Sequence, residues 1–205
     1  MLDDDVPSPI DLRLMSDAAA WEASAMAKRP WRSEFFAAFA SALLAARPPV
    51  RRILELGSGP GFLADVLLRA LLDASYVALD FSAAMHQLAA ARLGHAAHRV
   101  QLVERSFRDD GWTQGLGLFE AVVTNQAVHE LRHKRHAPRL HAQARSLLVA
   151  GGSYLVCDHF AGDGGMSNDL LYMSMAEQRE ALLEAGFLTV ETLLVKGGLA
   201  LHRAA

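Results

Sequence analysis

Only one cysteine, Cys157, occurs in the 205 residues, so an intramolecular disulfide framework is excluded. It stands in the apolar run Tyr154-Leu155-Val156-Cys157, which reads as a strand and places the thiol in the core. Long apolar runs are missing too: the longest, Phe35 to Ala46, falls short of a bilayer span. Met1-Leu2-Asp3-Asp4-Asp5 lacks the basic start of a secretory signal, which leaves the cytoplasm as the expected location. Neither charge sign is in large surplus. With 20 Lys and Arg against 23 Asp and Glu, the net charge of −3 gives no general attraction for nucleic acid or an anionic membrane. Repeats and low-complexity linkers are absent. What remains, 52% apolar and 21% charged, is the profile of a packed soluble chain of one domain, residues 1–205.

The most informative stretch is Ile53-Leu54-Glu55-Leu56-Gly57-Ser58-Gly59-Pro60-Gly61. Its first residues read as a short buried strand, and Phe62 to Leu72 recurs at helical spacing, so the glycines occupy a strand-to-helix turn. Such a turn suits a nucleotide. Glycine tolerates positive φ and close backbone approach, while the following helix offers unpaired N–H groups.

Residues 1–13 contain Pro7 and Pro9, show no periodicity and are expected to form a flexible tail. Residues 14–48 read as two helices, one from Asp17 to about Lys28 capped by Ser16 and one from about Arg32 to Ala46. Their junction, Arg29-Pro30-Trp31-Arg32, could lie over a ligand, but the simpler reading is a helix corner anchored by Trp31. From 50 to 205 strand and helix alternate. Strands are expected at Arg52–Leu56, Tyr76–Asp80, Val100–Glu104, Phe119–Thr124 and Ser153–Asp158, with a helical region from Ala127 to Leu148 broken near Pro138. That order predicts a parallel sheet covered on both faces. Right-handed crossovers put Gly57, Asp80, Ser106, Asn125 and His159 along one edge, where open α/β sheets bind ligands. Ser174-Met175-Ala176-Glu177 is a capping box, and an antiparallel hairpin around Lys196-Gly197-Gly198 closes the chain.

A dinucleotide fingerprint fits this turn imperfectly, because Phe62 stands where its third glycine belongs and Gly61 comes one residue early. Glu55 to Gly61 instead resembles the first motif of class I S-adenosylmethionine-dependent methyltransferases. Val77-Ala78-Leu79-Asp80-Phe81-Ser82, followed by Met85, is similar to the family's second motif, and the terminal strand pair to its ending. The resemblance implies a Rossmann-like, doubly wound seven-stranded sheet, mostly parallel with an antiparallel C-terminal strand, preceded by helices. It implies S-adenosyl-L-methionine as cofactor. By position, Gly57, Ser58 and Gly59 would line its methionine and ribose portion, with Gly61 closing the turn and Glu55 ordering the loop. Asp80 would take the ribose hydroxyls, and Phe81 and Met85 would flank adenine. Ser106 and Phe107 would stand near the exocyclic amine, although Arg105-Ser106 replaces the aspartate frequent there. Asn125 and Gln126 would lie closest to the methyl group.

His129-Glu130-Leu131-Arg132-His133 is a literal His-Glu-x-x-His, but the longer zinc-protease spacing fails at His136 and Arg139, so no metal is assigned. His129 follows the fourth strand and either removes a proton from the acceptor or only shapes the pocket. Thr124-Asn125-Gln126-Ala127 differs from the Asn/Asp-Pro-Pro-aromatic motif of enzymes that methylate planar nitrogens. A small-molecule acceptor is the expected partner, methylated on oxygen, nitrogen or carbon, under a lid formed by the N-terminal helices and the segment His159 to Met166, with Leu170, Tyr172, Met173 and Met175 behind it. The competing readings are a nicotinamide-dependent oxidoreductase and a non-catalytic S-adenosylmethionine-binding protein.

Overall fold

A computed structural model of the chain describes residues 5–205. The tail expectation for residues 1–4 lies outside the described residues. Two helices, α1 (Met15–Lys28) and α2 (Arg32–Leu44), precede the sheet. The strands are β1 (Arg52–Leu56), β2 (Ser75–Asp80), β3 (Val100–Glu104), β4 (Phe119–Asn125), β5 (Leu148–His159), β6 (Val190–Lys196) and β7 (Leu199–Ala204). Between them lie α3 (Phe62–Ala70), α4 (Ala83–Arg92), α5 (Ala137–Ser146) and α6 (Met175–Glu184).

All seven strands form one sheet in the order β3-β2-β1-β4-β5-β7-β6. The first five run parallel, and β7 is antiparallel to both β5 and β6. The doubly wound seven-stranded sheet expected from the sequence is therefore observed. Period-two alternation sends Ile53, Ala78, Val123 and Leu155 to one face, against Phe35, Phe39 and Leu43 of α2 and Leu63 and Leu67 of α3. Leu54, Val77, Val122 and Tyr154 go to the other, against Leu140 of α5 and Leu182 of α6. Each fully buried leucine contributes about 1.5–3 kcal/mol, so both layers clamp the strand ends that carry the site. No helix among the described residues is long and apolar enough to cross a membrane.

Several boundaries differ from the sequence reading. Leu14, not Ser16, precedes the first helix, and no side chain caps it. Ser16 already lies inside the first turn, so its hydroxyl is not at the capping position. Ala127 to Leu148, expected as a helical region broken near Pro138, holds two short 3-10 turns, Val128–Leu131 and Lys134–His136, before α5. Pro138 lies in the first turn of α5, where it breaks nothing, because a first-turn residue has no intrahelical N–H bond to lose. The capping box is present: the Ser174 hydroxyl accepts from the Glu177 amide at 3.2 Å and the Glu177 carboxylate from the Ser174 amide at 2.7 Å.

Residues 5–13 are pinned where a loose tail was expected. Arg132 donates to the carbonyls of Val6 at 2.8 Å and Pro7 at 2.7 Å, and its own carbonyl accepts from the Val6 amide at 2.8 Å. Asp5 pairs with Arg108 and His136, and the Ser82 hydroxyl donates to the Leu12 carbonyl. Absence of periodicity marked this segment as irregular, but the anchoring cations are more than 90 residues away in sequence.

Candidate active site

The C-terminal ends of β1, β2, β4 and β5 open into a cleft whose walls carry Gly57, Asp80, Asn125 and His159 from those four ends. Gly57, Gly59 and Gly61 all have positive φ, at 69°, 53° and 79°. Gly57 is the tightest: an added Cβ would lie 2.4 Å from the Cβ of Ala127. Beside Gly59 an added Cβ would meet open space. The turn is held from below, since the Leu79 carbonyl accepts from the amides of Gly57 at 2.9 Å and Ser58 at 3.1 Å.

Asp80 ties the two motifs together. One carboxylate oxygen accepts from the Gly59 amide at 2.8 Å and the other from the Ser82 amide at 3.0 Å. Burial pushes its pKa up while these bonds oppose the rise. Each oxygen keeps a second lone pair for a ligand hydroxyl. Ser82 caps α4 through the Met85 amide, which fixes Phe81 and Met85 at the same rim. Glu55, beneath the turn, accepts from the Tyr76 hydroxyl at 2.7 Å. Burial lifts its carboxyl to about 8, against the Tyr76 bond and helped by nearby Asp80.

Of the residues expected from the sequence, Glu55, Gly57, Ser58, Gly59, Asp80, Phe81, Met85, Phe107, Asn125, Gln126 and His129 all line this cleft. Gly61 stands behind it as the residue preceding α3, against Leu93 and Ala89. Ser106 also lies off the cleft wall, and its hydroxyl accepts from the Arg108 amide at 3.1 Å.

At the far end His129 forms a charged pair that the sequence reading did not contain. Its Nδ1 lies 2.7 Å from Asp158, whose other oxygen accepts from the His129 amide at 2.8 Å. Nε2 has a longer contact, 3.4 Å, to Glu130. Burial disfavours the imidazolium, but Asp158 and Glu130 outweigh it and raise the pKa to about 10. His159 and Tyr172 stand around the ring, with centroids 5.6 and 5.5 Å from it. His159 is held neutral by burial, at about 4. Asp158 had one signal in the sequence: an acid in an otherwise apolar central strand is rarely buried unless paired.

His129 and His133 do not share a helical face. His129 lies in the 3-10 turn Val128–Leu131, and Arg132, at φ 67°, ends that turn before His133. Among the described residues no group of three or more His, Cys, Asp or Glu side chains could hold a metal ion.

The N-terminal helices supply the roof through Trp21, Arg29, Arg32 and Phe36. The junction thus serves both purposes weighed from the sequence: Trp31 anchors the corner against Gly197, while Arg29 and Arg32 face the cleft. Of the expected lid segment, only His159, the last residue of β5, and Tyr172 beyond it reach the cleft; Met173 packs in the core and Leu170 is exposed. Six buried polar atoms on the cleft walls lack protein partners: Ser58 Oγ, Asn125 Oδ1, Gln126 Nε2, His159 Nδ1, and Nε and Nη1 of Arg32. Buried polar groups are normally paired, so this set fits a polar ligand on the glycine turn.

Residues 53–152 match the family model of a methyltransferase domain. No curated protein matches the chain in sequence. Among solved structures, an O-methyltransferase family protein from Burkholderia thailandensis is 17% identical with a TM-score of 0.76, covering 92% of this chain and 59% of that one. DhpI, solved as a complex with SAH, is 21% identical with a TM-score of 0.70, covering 93% and 94%. An O-methyltransferase family 2 protein from Planctomyces limnophilus, solved with apigenin, is 18% identical with a TM-score of 0.73, covering 96% and 62%. The chain thus spans about three-fifths of the length of the first and third and nearly all of DhpI. At such identities the likeness is one of fold.

Proposed function

Because residues 53–152 form a class I S-adenosylmethionine-dependent methyltransferase domain, we propose that the chain methylates an oxygen of a small, hydroxyl-bearing molecule bound beside His129. The observation that carries this reading is the His129–Asp158 pair at 2.7 Å, set across the cleft from the glycine turn. The cofactor, when bound, supplies an activated methyl group, so alignment and exclusion of water are the protein's main tasks.

The residues divide accordingly. Gly57 and Gly59 let backbone approach the donor, and Asp80 would receive its ribose hydroxyls. Phe81 and Met85 would flank adenine. Asn125 and Gln126 stand at the edge of β4, between donor and acceptor ends. Asp158 occupies Nδ1 of His129, so an acceptor would have to reach Nε2, in place of its longer 3.4 Å contact to Glu130. Asp158 and Glu130 raise the pKa of the ring, so its neutral form is a stronger base than a free imidazole and suits a hydroxyl as weakly acidic as a phenol's. A proton can then pass from hydroxyl to imidazole at little cost, leaving the imidazolium paired with the oxyanion. The apigenin complex of the Planctomyces limnophilus neighbour agrees with a phenolic acceptor of this kind.

The test is formation of S-adenosylhomocysteine from S-adenosylmethionine across a panel of phenols and other hydroxylated metabolites. Turnover is expected to rise with pH toward about 10 as His129 loses its proton, and His129→Ala to lower it by about 10²–10⁴-fold. Unchanged turnover in that variant would remove the role of His129. Binding of NAD(H) without S-adenosylmethionine would overturn the assignment as a whole.

A further inference from the structure

Arg32 is 3% exposed, yet no carboxylate among the described residues pairs with it. Its guanidinium lies over the Trp21 ring at 5.1 Å and donates from Nη2 to the side-chain carbonyl of Gln126. Nε and Nη1 are buried without a partner. Gln126 is in the same condition: its backbone is left-handed, at φ 57°, and its Nε2 is a buried donor without an acceptor. Both residues line the cleft, and a second cation, Arg29, lines it too.

A buried charge without a counter-ion is costly, and a tryptophan face with one amide carbonyl offsets only part of that cost. Burial, with Arg29 nearby, pulls the guanidinium to about 10. The unmet groups of Arg32 and Gln126 are all donors. A ligand that satisfies them must bring acceptor oxygens and negative charge, and the planar fork of arginine matches a carboxylate.

We infer that Arg32, with Gln126, is the seat of a carboxylate carried by a ligand of this cleft. The inference rests on the methyltransferase reading only in the choice of carriers. One carrier is the amino-acid end of the methyl donor. The other is the acceptor, which would then be an aromatic or aliphatic acid.

Calorimetry with S-adenosylhomocysteine and its decarboxylated analogue tests the first carrier. Thermal shift with 4-hydroxybenzoate against p-cresol, with and without S-adenosylhomocysteine, tests the second. If the donor's carboxylate fills the seat, the wild-type chain prefers S-adenosylhomocysteine over the analogue at least tenfold, and Arg32→Gln abolishes the preference while Arg32→Lys keeps part of it. If the acceptor's does, the two nucleosides bind alike, and 4-hydroxybenzoate but not p-cresol stabilises wild type and not Arg32→Gln. Equal nucleoside binding with no preference for the benzoate overturns the inference. Should Arg32→Gln fail to fold, the two wild-type comparisons decide alone. Failure of both nucleosides to bind would sink the methyltransferase reading, and the benzoate comparison would still decide the role of Arg32.

Discussion

Asp158 sets the charge state of His129, and the effect can be separated from mere packing. Its carboxylate bonds both the ring and the amide of His129, and the pair is almost fully buried. Removing one charge strands the other, at a cost of about 3–5 kcal/mol for a buried pair. Asp158→Asn keeps the shape and one acceptor oxygen but deletes the charge, so burial of the imidazole is opposed by Glu130 alone. The pKa of His129 is expected to fall by several units from about 10, followed through its ring signals by NMR titration. An unmoved titration would show that Asp158 does not control the ring. On catalysis, the pH at which turnover rises should move down with the pKa, whereas simple loss of structure would lower turnover at every pH.

Among the elements, the glycine turn and the pinned segment at residues 5–13 make separate predictions. Gly57→Ala meets both a left-handed φ and the Cβ of Ala127 at 2.4 Å, whereas Gly59→Ala meets only the φ. Gly59→Ala should therefore cost about 1–2 kcal/mol, and Gly57→Ala clearly more, in denaturant melts of the two variants. Equal losses would mean that strain alone matters. Arg132→Ala removes two bonds to the pinned segment, each worth about 1.5–3 kcal/mol when one partner is charged. Limited proteolysis should then cut within residues 6–13 faster than in wild type, and slower or equal cutting would count against a latch. These two elements also mark what the sequence could convey. Glycine spacing, strand alternation and Asp80 are local patterns, so the turn and sheet edge were legible. The anchoring of residues 5–13 by Arg132, the pairing of Asp158 with His129 and the exposure of Arg32 to the cleft depend on residues brought together only by the folded topology. Even locally, the left-handed residue Arg132 ended a turn that spacing alone read as helix.

At the scale of the whole molecule, buried titratable groups on opposite faces of the sheet fix the pH at which the fold is most stable. His202 bonds Thr192 and Gln178, and Gln178 in turn donates to the His159 carbonyl, so a buried polar chain links the last strand to the end of β5. Burial holds His141, His159 and His202 each at about 4, below the ordinary histidine value of about 6.5. In the unfolded chain these three bind protons below about pH 6.5 while the folded chain does not, so stability is lost as pH falls from there toward 4. Glu55 works in the other direction: folded, it keeps its proton up to about 8, while the unfolded chain has released it by about pH 5. His129, raised to about 10, adds a second loss above about pH 6.5, where only the unfolded chain is deprotonated. Below about pH 6.5 the three histidines outweigh Glu55, and above it Glu55 and His129 act together. The melting temperature should therefore peak near pH 6.5 and fall on both sides. Glu55→Gln, which keeps an acceptor for the Tyr76 hydroxyl, should flatten the alkaline side, and His202→Gln should flatten the acid side. A melting temperature that is level from pH 5 to 9, or unchanged in slope in both variants, would show that these groups do not govern the stability of the fold.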